Sequence, residues 1–417
     1  MIIALDAAPL VTRQIGGVEQ HARNLVAQWA AQPAEHRFVL LLPGGWLRQP
    51  DYDPAFLESL PMSFKPRLYG AAWRTWPATL LRRFGGILLP VRAWRHFDVF
   101  HSFSGALPRR IVAPMVHTIH DMSCELDPFV RDTAEGWRTR RIYRRAIRRA
   151  RYTLTVSQQT RADIVSIYHL PPRQVRVVYN GINPVFTPVP DPVLREQLQQ
   201  RYGLRRRYLL LVGSDIPRRN YRQVWVGLRQ AWAAQLSLQA VFAGRNVWPE
   251  TAIYRQAVAE GCLDRVIFVP SPSDRELAQL YRDALLTCCG SSFEGFGLSV
   301  LEAMACGCCV ACSDLSSLRA LAGDAVCYFA HDDPAAISEA IQDLAVDPEY
   351  RRQLRELGLR RAARYNWANS ARRLLLILQH AAGVRVAHGG RVAGAGDSTK
   401  SGSPPARRAV PGGGLRI

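Results

Sequence analysis

The chain has 417 residues, of which 48% are hydrophobic, and its 54 Lys and Arg against 34 Asp and Glu give a formal net charge of +20. The length suits two or three domains, the apolar content is enough for a core in each half, and no run of eighteen apolar residues occurs, which excludes a membrane-spanning helix. The charge fits nucleic acid, an anionic membrane surface or a phosphorylated substrate, and equally a solvated basic surface. In chain order, residues 2–5 read as a first β-strand; residues 1–6 lack the basic start and long apolar stretch of a signal peptide, so a cytoplasmic location is expected. Residues 18–30 read as a helix. Strands follow at 37–42, 98–101, 115–119, 152–156 and 175–179, with a helix at 137–150. The Pro-rich stretch 184–192 reads as a hinge. A second series of strands runs at 208–212, 238–243, 265–269, 285–288, 309–312 and 326–329, with helices at 274–284 and 334–344 among them. Residues 347–364 and 367–380 read as closing helices. The alternation predicts two doubly wound α/β halves with a ligand cleft between them.

Lys65 and Lys400 are the two lysines, so a site that ordinarily uses lysine must here use arginine. Of the nine cysteines, Cys306, Cys308, Cys309, Cys312 and Cys327 cluster, but no second pair stands at structural-zinc spacing. They read as small buried hydrophobes, with neither metal nor disulfides expected.

Several stretches carry candidate chemistry. Gly16-Gly17 follows the first strand and opens a helix, where backbone N–H groups can meet a phosphate. His120-Asp121 ends a strand and offers a hydrogen bond to a hydroxyl or phosphate, or is a plain polar loop start. His101 ends another strand and competes for the same role. Gly213 through Asn220 places Arg218 and Arg219 between a strand and a helix, as diphosphate-binding forks or as a basic helix start. Arg245 and residues 269–274 follow strands and line a nucleobase pocket or an ordinary loop. Glu294 and Glu302 bracket a turn of Gly295, Phe296 and Gly297 and an Ala-rich helix. Carboxylates so placed suit hydroxyl groups of a ligand whose phosphates meet the helix start, although paired carboxylates also suggest proton transfer. Residues 138–151 mix apolar and basic positions at helical spacing, for an anionic membrane or as a basic outer face. Residues 71–84 add two tryptophans suited to an interface or a lipid acceptor.

Taken together, Glu294-Gly-Phe-Gly-Leu with Glu302-Ala-Met-Ala-Cys-Gly307, Val156-Ser157, Tyr179-Asn180-Gly181-Ile182, Phe186-Thr-Pro188, Gly213 through Asn220 and Gly323-Asp-Ala325 resemble the family 4 glycosyltransferases over about residues 1–382. The resemblance implies the two-domain GT-B fold. It implies residues 1–184 as an acceptor-binding Rossmann-like domain and 185–365 as a nucleotide-sugar-binding one. Residues 366–384 would be a helix returning to the first domain, and 385–417 a disordered basic tail. It further implies retaining transfer of a hexose from a nucleotide-diphosphate sugar, without an essential metal or cofactor. Glu294 would hold sugar hydroxyls and Glu302 the ribose. The backbone at Phe296, Gly297 and Leu298 would contact sugar and phosphate. Arg219, where the family usually has lysine, would neutralise the diphosphate beside Arg218, Gly213, Gly16 and Gly17. His120 matches the family's cleft histidine. Ala320, Gly290, Ser299 and Cys308-Cys309 depart from the family pattern.

Mannose from GDP-mannose is the first donor expected, UDP-sugars the next. The acceptor is a glycan or lipid-linked molecule of cell-surface polysaccharide, lipopolysaccharide or glycolipid synthesis, met in the cytoplasm or peripherally at the inner face of the plasma membrane. Two other readings compete: a nucleotide-sugar epimerase of the same fold, and a non-catalytic nucleic-acid-binding scaffold suggested by the charge.

Overall fold

A computed structural model describes residues 1–13, 16–32, 35–43, 51–61, 64–69, 97–104, 113–204, 207–245 and 247–384. Ile15, the tryptophan pair at 73 and 76, and the tail 385–417 lie outside the described residues.

The chain forms two parallel sheets. The amino lobe holds β1 (Ile2–Asp6), β2 (Arg37–Pro43), β3 (Phe64–Tyr69), β4 (Val99–Ser102), β5 (Met115–Ile119), β6 (Tyr152–Thr155) and β7 (Val175–Val177), in the order β3-β2-β1-β4-β5-β6-β7. The carboxyl lobe holds β8 (Leu209–Val212), β9 (Ala240–Gly244), β10 (Val266–Pro270), β11 (Leu286–Cys289), β12 (Cys309–Ser313) and β13 (Cys327–Phe329), in the order β10-β9-β8-β11-β12-β13. Each order reverses once, at β1/β4 and at β8/β11. In doubly wound sheets a ligand crevice opens at that reversal, outside the carboxyl ends of the strands. The strands are short apolar runs because helices cover both faces. Leu209 and Leu211 pack on one side of the carboxyl sheet with Val224 and Trp225, and Leu210 packs on the other with Val300 and Leu301.

The amino lobe carries α1 (Gly17–Ala30), α2 (Ala55–Glu58), α3 (Ser123–Leu126), α4 (Pro128–Arg131), α5 (Ala134–Arg149) and α6 (Gln158–Tyr168). The carboxyl lobe carries α7 (Pro192–Tyr202), α8 (Tyr221–Ala233), α9 (Ala252–Ala259), α10 (Asp274–Asp283), α11 (Leu298–Ala305), α12 (Ser316–Ala322), α13 (Pro334–Val346) and α14 (Pro348–Ala362). The last helix, α15 (Trp367–Ala382), returns to the amino lobe. Its Trp367, Leu374 and Leu378 join the core of Ile3, Leu5 and Val116. The Trp29 indole donates to the Ala371 carbonyl at 3.1 Å.

Two differences from the sequence reading bear on how the lobes are built. Strand β3 carries Pro66, which withholds a backbone donor and masks the strand pattern; the sheet tolerates it because β3 is an edge. The Pro-rich stretch expected as a hinge is fastened to the carboxyl lobe. Phe186 is buried there, and the Arg282 guanidinium donates to the carbonyls of Val185 and Thr187 at 2.7 Å each. The crossing lies upstream, where Ile182 bridges to Asn366 and its amide donates to the Tyr365 carbonyl. The outward and returning chains cross side by side.

Candidate active site

The carboxyl-lobe half of the site is built at the β8/β11 reversal. After β8, Gly213 stands at φ +134°, and a Cβ there would lie 2.9 Å from Nε of Arg219. A side chain would therefore be strained by the backbone and collide with the guanidinium. The 3-10 turn Pro217–Arg219 is closed by Asn220 in the left-handed region at φ 57°. The Arg218 carbonyl accepts from the Ser292 amide at 2.9 Å, which ties this turn to the loop after β11. In that loop Glu294 Oε1 accepts from Arg219 Nη1 at 2.6 Å and from the Ser291 hydroxyl at 3.0 Å. The ion pair is mostly sheltered, and Glu294 raises the Arg219 pKa further above its ordinary value. Both bonds fall on Oε1, so Oε2 is the carboxylate oxygen with capacity for a hydroxyl donor.

Gly297 then turns at φ +96° as the N-cap of α11, with no side-chain cap. The first N–H groups of α11 therefore remain for another acceptor. Phe296 is buried, its ring set among Tyr179 and Tyr365, so what it offers the cleft is backbone. Glu302 stands just over one turn into α11. It is buried, with the Tyr281 hydroxyl donating to Oε2 at a long 3.4 Å. Burial, aided by the charge of Asp274, pushes its pKa up to about 8. Arg245 is exposed just past β9, the strand beside β8. Cys289 approaches the site at 3.7 Å from the Ser291 hydroxyl, and burial raises its pKa, so it is no nucleophile at neutral pH.

The amino lobe closes on this constellation. Gly17 opens α1 3.7 Å from the Leu298 side chain, measured from where its own Cβ would stand. The starts of α1 and α11 thus converge, two positive helix ends facing one space. The Gly16 amide donates to Glu19 Oε2 at 2.8 Å. Asp121 Oδ2 lies 3.8 Å from Arg218 Nη1 across the cleft, and the Thr160 hydroxyl donates to the Gly295 carbonyl at 3.4 Å. His120 lies against the Phe103 carbonyl at 2.8 Å through Nε2. A carbonyl only accepts, so Nε2 carries the proton and Nδ1 of the neutral ring is an acceptor. Burial lowers the His120 pKa, which keeps the ring neutral.

His101 takes no cleft role. It is fully buried against Phe103, with burial lowering its pKa to about 3. His21, which the sequence reading passed over, sits edge-on to His120 at 4.9 Å between ring centres. Its Nδ1 lies 2.7 Å from Asn180 Oδ1 beside the lobe crossing. Its signal in the sequence was slight: a polar residue on the buried face of α1, four residues after Gly17. Tyr281 was also missed, because only the fold brings it to Glu302, and Ser291, three residues before Glu294, was given no role. Among the described residues no group of three or more His, Cys, Asp or Glu is arranged to hold a metal ion, and no helix is long and apolar enough to cross a membrane.

Comparison with known proteins adds the lineage. The family described as Glycosyltransferase Family 4 matches residues 15–186, and Glycosyl transferases group 1 matches residues 195–361. The chain is 28% identical over 291 residues to the O-antigen chain mannosyltransferase B of Escherichia coli, covering 67% of this chain and 74% of that protein. It is 29% identical over 306 residues to a D-inositol 3-phosphate glycosyltransferase of Thermobispora bispora, covering 67% and 69%. In fold it is similar to a sucrose-phosphate synthase from Thermosynechococcus elongatus (TM-score 0.70, 20% identity, 91% of this chain and 98% of that one). It is also similar to Anabaena HepE in complex with UDP (TM-score 0.67, 16% identity, 91% and 99%). With one family matching each lobe and two Rossmann-like lobes closed on a common cleft in the GT-B manner, the chain belongs to the group 1/family 4 glycosyltransferases.

Proposed function

We propose that this glycosyltransferase moves a hexose, mannose first among candidates, from a nucleotide-diphosphate sugar to a membrane-borne or glycan acceptor, with retention of configuration. The Arg219–Glu294 pair at the converging helix starts carries this reading. Cation and carboxylate are held as one unit, so a diphosphate drawn to the guanidinium brings its sugar to Glu294 Oε2. Arg218, Arg219 and the amides of Gly17, Gly297 and Leu298 stabilise the departing diphosphate, the largest contribution to rate in such chemistry, while Gly16, its amide held by Glu19, shapes the α1 start beside them. His120 Nδ1 accepts from a sugar hydroxyl, and Glu302 takes the ribose hydroxyls. Arg245 and Gly213 flank the nucleotide. No metal or cofactor has a part in this scheme. The sugar passes through an oxocarbenium-like state, and the leaving phosphate takes the acceptor's proton.

Mannose is favoured by the likeness to the mannosyltransferase of Escherichia coli and to the O-antigen chain mannosyltransferase RfbU of Salmonella typhimurium. A GDP donor is the first choice with it. UDP stands second, through the UDP-bound fold relative. The inositol-phosphate glycosyltransferases at like identity make a soluble inositol phosphate the second acceptor class. The test is a screen of GDP- and UDP-sugars by calorimetry and turnover, on the parent and on Glu294→Gln. One nucleotide sugar should bind and be consumed, and the variant should lose about a hundredfold in kcat, the scale for one transition-state hydrogen bond. A parent that binds no nucleotide sugar, or a variant with full kcat, refutes the assignment.

A further inference from the structure

The outer face of α5 supplies a surface the transfer reaction does not use. Trp137, Arg138, Arg141, Arg145 and Arg148 recur at helical spacing and all are exposed. Trp137 is 62% exposed, and on the short helices packed beside the start of α5, Leu126 and Phe129 are 43% and 57% exposed. They are neighbours by construction: a Cβ on Gly136 would stand 2.0 Å from the Val130 carbonyl oxygen, so only glycine lets α5 start this close to α4. Acidic groups near the stripe are few: Glu135, exposed at the start of α5, forms no ion pair among the described residues, and Glu125 and Asp132 are engaged. Glu125 pairs with Arg140 and Arg144, and Asp132 with Arg131. Among the described residues, Arg138, Arg141 and Arg148 have no carboxylate within ion-pair reach. Arg149 titrates below its ordinary value, through burial and then the like charge of Arg145. At the far end of α5 a cavity of about 470 Å³ opens towards α6, lined by Ile147, Ile167 and Leu170 with Arg144 and Arg148.

We propose that this face of α5, with its flanking apolar side chains, docks the enzyme on an anionic phospholipid bilayer, and that the cavity between α5 and α6 takes a lipid phosphate. Cations in a row along a helix with an exposed indole, phenyl and aliphatic side chain at one end are what a charged headgroup layer over acyl chains requires. Leu126 argues for lipid over a nucleic-acid strand, which would stack on the aromatic rings but has no use for a branched alkyl group. The proposal rests on the acceptor being membrane-borne and gives that acceptor a direction, since α3, just ahead of α5, follows the β5 end that carries His120 and Asp121.

The experiment is co-sedimentation of the full chain with phosphatidylcholine vesicles, with and without phosphatidylglycerol, and in parallel with single-stranded RNA. The parent should bind the anionic vesicles and not the neutral ones. The variant Arg138→Glu/Arg141→Glu/Arg148→Glu should bind them about a hundredfold more weakly, a few-fold for each basic residue removed, with its melting temperature and nucleotide affinity kept. Trp137→Ser should lose the binding that survives at high salt, and it keeps the test open if the triple variant does not fold. Vesicle binding untouched by either variant overturns the proposal and shifts the role elsewhere on the chain. So does binding to RNA, abolished by the triple variant, with none to vesicles. Vesicle binding without sugar transfer would leave this proposal standing and overturn the transfer reading; transfer without vesicle binding would do the reverse.

Discussion

The two glutamates have different lives in the folded chain. Glu294 is a satisfied carboxylate, fixed by Arg219 and Ser291. Glu302 is buried with one long hydrogen bond, at a distance where such bonds contribute little. Its raised pKa has a definite sign in stability. Below about pH 4.5 the carboxyl is protonated folded or unfolded, and burial costs little. As pH climbs towards about 8, the unfolded chain ionises freely while the folded one resists, so this site's stability is progressively lost. Glu302→Gln removes that loss. Its melting temperature should match the parent's near pH 5 and exceed it increasingly up to about pH 8; a constant gap across that range would contradict the assignment. A ribose hydroxyl donates best to the charged form, so above about pH 8, where Glu302 is ionised, the same variant should bind nucleotide more weakly, by about 1.5–3 kcal/mol for a charged hydrogen bond. The sequence made both residues conspicuous through their spacing. It did not show that one has an arginine partner and the other almost none, because Arg219 arrives from a different strand end.

At the scale of elements, periodicity was legible in many of the elements that bury one face or both, though helices such as α6 and α8 were given no bounds. Strand β5 was expected at its observed bounds, and α1, α10 and α13 within a residue or two at each end. Pro66 concealed β3, and the short helices α3 and α4 are too brief to show a period. The hinge was misplaced because a run of prolines signals stiffness and extension as readily as a joint; Phe186 and Arg282 decide which. For helix α15 the family resemblance implied a return to the first domain, whereas the helix's own period names no partner. Its apolar face completes the amino-lobe core although the chain reaches it only after the carboxyl lobe is finished. Leu374→Ala should therefore destabilise the amino lobe by about 2–5 kcal/mol, the usual range for emptying a buried leucine site. Urea unfolding followed through amino-lobe hydrogen exchange is the measurement. Unchanged protection of β1 and β5 amides would show that α15 is only an attachment.

At the scale of the molecule, function depends on how closely the lobes approach. A Cβ on Gly295 would meet the His120 carbonyl oxygen at 2.6 Å and Asp121 Cβ at 2.7 Å. Carbon–carbon contacts settle near 3.5–4.0 Å, so Gly295→Ala should wedge the lobes apart by roughly an ångström. It should break the Arg218–Asp121 approach and the Thr160–Gly295 bond while leaving each lobe's core intact. The expected outcome is donor affinity down at least about tenfold with little change in melting temperature; unaltered affinity would mean that the closed arrangement is not the binding one. By itself the sequence determined the two α/β halves, their cleft and the residues rich in chemistry, because hydrophobic period and the spacing of glycines, arginines and carboxylates are local properties. Only the tertiary structure decided that Arg219 holds Glu294, that His101 is core while His21 backs His120, and that two helix starts share one space. Each of those is a contact between distant segments, and the free energy that selects it resides in packing and desolvation no local pattern records.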